Sequence, residues 1–168
     1  MTIKLAQYNA DLIYTAQKKF NCGNAIINKY VHENLKKQVK QNLCAAYVLI
    51  DGADDNKFVG FCTLAQHTIS VASLSSLQLD SLPRNIPCTR LVMLGVDNAY
   101  QGQNIGKRLM REALMMTKNV ANQVGSYGMY LDGEAAAIAF YQKLGFVLLD
   151  GNKAPDTSPM FLPLTKIP

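Results

Sequence analysis

The chain has 168 residues, a formal net charge of +5, 49% hydrophobic residues and only 17% charged ones. That length suits one globular domain, and that balance excludes a disordered chain. No apolar run reaches the length of a membrane span, and the opening MTIKLAQYNADL lacks the basic and apolar regions of a signal peptide, so a cytoplasmic protein with no membrane partner is expected.

Residues 2–8 read as a first strand. Phe20–Asn24 is a turn, with Asn21 or Asn24 as the cap of a following helix. That helix is predicted to run to about Gln41, because Ile27, Val31, Leu35 and Val39 recur every four residues, with Ile26 and Tyr30 widening the apolar face. Its outer side is basic. Six lysines (18, 19, 29, 36, 37 and 40) lie between residues 18 and 40 against one acid, Glu33.

Cys44–Ile50 reads as a strand, residues 51–56 as a turn, and Phe58–Leu64 as the hairpin partner, where Gly60 predicts a bulge or a close approach. Residues 67–83 are rich in Ser and Leu and stay open between a lid or substrate loop and a further strand with its connection. Leu91–Val96 is an apolar run suited to a buried strand, ended by Asp97 and Asn98. Gly102 and Gly106 follow, and from Ile105 the spacing turns helical through Leu109, Ala113, Met116, Val120 and Val124. A strand at Tyr127–Leu131, an Ala-rich helix stopped by Gly145, a strand at Phe146–Leu149 and a last strand near Met160–Leu164 complete the chain. Hairpins first and β–α–β units later predict an α/β fold with a mixed sheet.

A glycine-bearing turn at a helix start offers unpaired N–H groups and the positive end of the helix dipole to an anion. The spacing is neither that of a Walker A loop nor that of a Rossmann glycine triad. Lys107, Arg108, Arg111 and Lys118 add a second basic group, suited to coenzyme phosphates or a nucleic-acid backbone, or to plain solvation. The four cysteines (22, 44, 62 and 88) form no C-x-x-C pair. Core packing is expected of Cys44, Cys62 and Cys88, and no metal site is expected. Neither His32 nor His67 offers an obvious base.

Gln101-Gly102-Gln103-Asn104-Ile105-Gly106 resembles the Gln/Arg-x-x-Gly-x-Gly/Ala pyrophosphate loop of the GNAT acetyltransferases, with Asn104 at a usual glycine position. Asn is the side chain that best tolerates left-handed backbone. Farther on, Ala135–Phe146 resembles the A-x-x-F-Y-x-x-L-G-F signature that closes the cofactor site in that family. The resemblance implies one GNAT domain over 1–168: a mixed, mostly antiparallel central sheet with splayed central strands and helices on both faces. It implies acetyl-CoA as cofactor, held by Leu94, Gly95, Val96, Gln101, Gly102, Gln103, Asn104, Ile105, Gly106, Lys107 and Phe140. A strand-end N–H would polarise the thioester carbonyl, and Tyr141 would protonate the departing thiolate. Gly95 has a simpler alternative as a core-shaping bulge. No base stands out among Asp97, Asp132 and Glu134, and Asp97 reads better as a cap.

Phe20–Asn24, the basic helix with Asn28-Lys29-Tyr30, Ala46–Leu49, Val59–Leu64, Ile86-Pro87 and Leu94–Asp97 are together similar to one branch, the GNAT toxins of type II toxin–antitoxin systems. That similarity implies acetylation of the α-amine of aminoacyl-tRNA, with a ribbon-helix-helix antitoxin as partner and a homodimer as a further candidate. Lys29, Lys36, Lys37, Lys40, Arg90, Arg108 and Arg111 are the candidate tRNA contacts. Met93 and Glu134 stand where the branch commonly has Arg and Asn. Two alternatives stay open: a GNAT enzyme for a small amine, polyamine or protein N-terminus, and a coenzyme A binding module with weakened turnover.

Overall fold

The computed structural model describes residues 1–79 and 81–168. Among these, β1 (Ile3–Gln7), α1 (Ala25–Glu33), α2 (Leu35–Lys40), β2 (Ala45–Asp51), β3 (Lys57–Ser70) and β4 (Asn85–Val96) precede α3 (Ile105–Val124). There follow β5 (Gly128–Gly133), α4 (Ile138–Lys143), β6 (Val147–Leu148) and β7 (Ser158–Pro163). The strands form one sheet in the order β1-β2-β3-β4-β5-β7-β6. Pairings of β1 with β2, β2 with β3, β5 with β7 and β6 with β7 are antiparallel, while β4 and β5 are parallel. The mixed sheet that the order of elements predicts is present, and it is mostly antiparallel, as the resemblance implies. The β4–β5 ladder registers only Thr89 with Met129 and Arg90 with Tyr130, a short pairing of the kind a splayed central pair requires.

The chain divides into two compact units, Met1–Ala65 with Val92–Ala113 and Gln66–Leu91 with Leu114–Pro168. In the first, Phe20, Val31, Leu35, Val48, Phe58 and Phe61 are core residues, and Phe20 meets Phe58 and Phe61 edge-on at 5.3 and 5.7 Å. The register passes from Leu49 opposite Gly60 to Ile50 opposite Phe58, which leaves Val59 as the extra residue of a bulge. A Cβ on Gly60 would lie 3.4 Å from the Gly95 carbonyl oxygen. That is an ordinary contact, so of the two expectations for Gly60 the bulge is the one that holds.

The single helix expected up to Gln41 is instead two. Asn34, at φ −118° and ψ −31°, separates α1 from α2. Asn competes for its own backbone hydrogen bonds and is a weak helix former. Asn24 is the cap, accepting from the amides of Ile26 and Ile27 at 2.9 and 3.1 Å. The apolar face is narrower than predicted. Ile27, Tyr30 and Val31 pack on the core, while Ile26 in the first turn is 68% exposed.

Asp51 closes β2 and accepts from the Thr2 amide (2.9 Å), the Ala53 amide (3.0 Å) and the Tyr100 hydroxyl (2.9 Å). These donors, Thr2 first, hold its carboxyl below the usual range. Burial and then the Asp51 hydrogen bond push the Tyr100 phenol up to about 12. A carboxyl that titrates lower when folded contributes stability fully above its unfolded pKa of about 3.9. That contribution is lost as the pH falls through the folded value. Asp51→Asn is therefore expected to lower Tm at pH 7, and the gap to the unsubstituted protein should close on acidification, as thermal melts across pH would show.

In the second unit β5 and β7 pair over six positions, Gly128–Gly133 against Pro163–Ser158. Ile69, Leu74, Ile86, Cys88 and Phe161 form its core. The undeclared stretch 67–83 holds the end of β3, rather than a further strand, and a 3-10 turn at Val71–Leu77 that buries Leu74; Asp80 lies outside the described residues. Several boundaries move. β4 starts at Asn85 rather than Leu91, β5 at Gly128 rather than Tyr127, and β7 spans Ser158–Pro163. β6 shrinks to two residues, because Phe146 turns inward and its amide closes α4 by donating to the Tyr141 carbonyl. The Ala-rich helix begins as a 3-10 turn at Ala135–Ala137. α3 has its predicted extent, yet Val124 is 71% exposed, and Ile105, Leu109, Met110, Ala113, Leu114 and Thr117 form the buried face.

All four cysteines are free thiols; Cys62 and Cys88 are buried, whereas Cys44 is half-buried. Burial pushes the Cys62 and Cys88 thiols up to about 12 and 11, which leaves both inert near neutrality. Among the described residues no group of three His, Cys, Asp or Glu is placed to hold a metal ion, and no helix is long and apolar enough to cross a membrane.

Candidate active site

The loop after β4 belongs to the first unit, and polar side chains build it. The Asp97 amide donates to the Val59 carbonyl at 2.8 Å. The Asp97 carboxylate accepts from the amides of Ala99 (3.0 Å) and Asn21 (3.2 Å), so it is the cap that the sequence suggested. Gln101 then braces the loop: its Nε2 donates to the carbonyls of Val96 (2.9 Å) and Cys22 (3.0 Å). The Gln101 side chain is thus committed within the protein. This brace, and the pairing of the loop with the turn at Phe20–Asn24, had no signal in the sequence.

Gly102 and Asn104 both adopt left-handed backbone, at φ 77° and 60°. Asn104 can do so because its short polar side chain tolerates that region. The Asn104 carbonyl accepts from the Arg108 amide at 3.1 Å, so the amides of Ile105, Gly106 and Lys107 form the first turn of a 20-residue helix and have no acceptor within it. A Cβ on Gly102 would meet nothing within 4 Å, so the loop faces open space there. Asn104→Ala is expected to cost about 1 kcal/mol in urea unfolding, whereas Asn104→Gly should cost nothing.

Upstream, Gly95 is buried, and a Cβ on it would come within 3.1–3.2 Å of Ile27, Phe20 and Phe61. Close packing accounts for the glycine. Leu94 and Val96 beside it are half-buried. The Met93 amide donates to Oγ1 of the wholly buried Thr63 at 3.1 Å, a tether on β4 that the sequence did not reveal. Lys29, Lys36, Lys37, Lys40, Lys107, Arg108 and Arg111 are all exposed and all in this unit. Arg108 also reaches the Ile3 carbonyl at 3.3 Å.

The second unit carries α4. Tyr141 is 8% exposed, its ring edge-on to Phe140 (5.3 Å) and to Phe146 (5.7 Å). Gly145 at φ 102° ends the helix. Of the carboxylates left open by the sequence, Glu134 is exposed, while Asp132 accepts from Arg90 Nη2 at 2.9 Å. Arg90 therefore departs from the other candidate tRNA contacts: its guanidinium is engaged inside the protein by a half-buried carboxylate.

Residues 43–148 match the family described as Acetyltransferase (GNAT) domain, and the chain belongs to that family. It is 27% identical over 158 residues to "Probable toxin TacT" of Sinorhizobium fredii (88% of this chain, 84% of the relative). A crystal structure of a bacterial toxin is 36% identical with a TM-score of 0.94, covering 98% of this chain and 92% of that one. The toxin AtaT has been solved complexed with acetyl-methionyl-tRNAfMet (26% identical, TM-score 0.87, 98% and 96% covered). AtaTR has been solved bound with AcCoA (27%, 0.84, 99% and 96%).

Proposed function

We propose that this GNAT enzyme, acting over 1–168 as one catalytic domain, transfers the acetyl group of acetyl-CoA to the α-amine of an aminoacyl-tRNA. The observation that carries the acceptor is the gathering of exposed cations. Lys29, Lys36, Lys37, Lys40, Lys107 and Arg111 lie in the same unit as the loop's open amides, where a polyanion would find neutralising charge. The similarity to AtaT, solved with an acetylated aminoacyl-tRNA, supports the same acceptor.

The loop fits a diphosphate, because the first-turn amides of Ile105–Lys107 lack helix acceptors and the space beside Gly102 is open. Leu94–Val96 offers strand backbone to an extended pantetheine arm, and an N–H at that strand end polarises the acyl carbonyl, a role worth about 3 kcal/mol in acyl transfer. Acetyl-CoA supplies the activated acetyl group. An α-amine, with a pKa of about 8, has a neutral fraction ready to attack without a strong base. The C–N bond forms, the C–S bond breaks, the amine proton leaves to water, and Tyr141 gives its phenolic proton to the sulfur. The reading carries with it a cytoplasmic location, a ribbon-helix-helix antitoxin as protein partner and self-association as a homodimer.

Labelled acetyl from acetyl-CoA, offered charged tRNA, uncharged tRNA and spermidine in parallel, tests the acceptor. Label is expected on charged tRNA alone. Label on spermidine alone, or on nothing while acetyl-CoA still binds, would overturn the proposal.

A further inference from the structure

Along the open edge of the second unit's core, apolar residues give way to a polar, aromatic cluster. Ile69, Ile86 and Cys88 are core; two residues farther along their strands, His67 on β3 and Arg90 on β4 are half-buried, as the alternation of a strand dictates. Tyr130 and Asp132, two apart on β5, complete the group. The His67 ring stacks on Tyr130 with centroids 4.9 Å apart and planes 30° from parallel. The Tyr130 hydroxyl donates to Asp132 Oδ1 at 2.9 Å, and Arg90 Nη2 donates to Oδ2 at 2.9 Å. The Arg90 guanidinium carbon lies 5.9 Å from the Tyr130 ring centroid. Both carboxylate oxygens are thereby used, and the tyrosine ring is fixed from its hydroxyl.

The chemistry of this cluster selects its ligand. Arg90 and Asp132 cancel in charge. Burial, and then the Arg90 charge, lower the His67 pKa, so the imidazole is neutral at neutral pH. What is offered is an uncharged aromatic surface, which suits neither a phosphate nor an ammonium but does suit a planar base. Arg90 Nε is buried and makes no hydrogen bond, an exception to the rule that buried donors are paired. Beside the stack lies a groove of about 490 Å³ walled by Tyr130, Ile69 and Leu149, with Ser70, Ser73 and Asp150 as its polar lining. That volume is within the range of small-molecule sites, about 300–1,000 Å³. The serine hydroxyls are partners for ribose, while the Asp150 carboxylate is paired with Lys153 at 2.7 Å.

We propose that His67 and Tyr130, backed by Arg90, form a stacking subsite for the terminal nucleoside of the acceptor RNA. This rests on aminoacyl-tRNA being the acceptor. The terminal nucleoside is the part of the acceptor that carries the amino acid, and fixing its base would hold the α-amine through a short, stiff connection.

The test is steady-state kinetics on charged tRNA. His67→Ala is expected to raise KM about tenfold, the effect of one lost stacking partner, with kcat within twofold and acetyl-CoA affinity retained. His67→Phe, which keeps a stacking ring, should bring KM back to within about threefold of the original. An unchanged KM in His67→Ala, an equal rise in His67→Phe, or a fall confined to kcat would overturn the proposal. A second readout needs no variant. The chain has two histidines, and the His67 imidazole proton resonances should shift on titration with adenosine; no shift at saturating adenosine overturns it. Failure of the unsubstituted protein to acetylate charged tRNA at all would instead overturn the acceptor reading on which the subsite depends.

Discussion

Tyr141→Phe is expected to lower kcat about 100-fold, the lower end of what a positioned proton donor contributes, with acetyl-CoA affinity within about twofold. The asymmetry follows from geometry. Phenylalanine keeps the ring that packs against Phe140 and Phe146, so the packing of α4 and its Gly145 stop should be retained while the hydroxyl and its proton are removed. A thiolate left without a donor must collect its proton from water. Single-turnover acetyl transfer alongside calorimetric acetyl-CoA binding separates the two effects. Full activity in Tyr141→Phe would remove Tyr141 from the chemistry. An equal loss of binding and rate would make it a packing residue.

Gly128→Ala should have the largest effect on stability. Gly128 opens β5 and is paired with Pro163 on β7. A Cβ there would run into the Leu162 carbonyl oxygen and would sit 2.8 and 2.9 Å from atoms of the Phe161 ring. The first of these is backbone inside a six-pair ladder, and the second is a core ring that is fully buried. Neither is the far end of a flexible side chain, so the strain falls on the sheet itself. The cost is expected at about 3 kcal/mol, the upper part of the overpacking range, read as a lower urea midpoint at unchanged slope. Gly133→Ala is the control. Its Cβ would lie 2.9 Å from Met160 Sδ, and a thioether can turn aside, so its loss should be clearly smaller.

The parts of this protein that were legible in the sequence are those fixed by local chemistry. Asn104 was readable as a left-handed position because few residues other than glycine tolerate it, and its φ is 60°. Asp97 was readable as a cap, Asn24 as a helix start, and Gly60 as a bulge. Long periodic segments such as α3 were found at full length. What the sequence hid depends on partners far away along the chain. Between Ala25 and Gln41 the apolar spacing continues across Asn34, and the weak helix propensity of that one residue is too small a signal to announce the break there. Gln101 reads as part of an anion loop, yet its side chain is spent on Cys22 and Val96, and Cys22 lies 79 positions earlier. Arg90 reads as a free cation until Asp132 arrives from another strand. His67 offers no obvious base in the sequence, and the ring it stacks on, Tyr130, is 63 positions later.

Hydrolysing the ester bond of charged tRNA after reaction, and identifying the released amino acid by mass, tests the central claim most directly. With acetyl-CoA and enzyme present, the account predicts N-acetyl-amino acid, and its yield should collapse in Tyr141→Phe. Recovery of unmodified amino acid, with the acetyl group on another amine in the reaction, would contradict it.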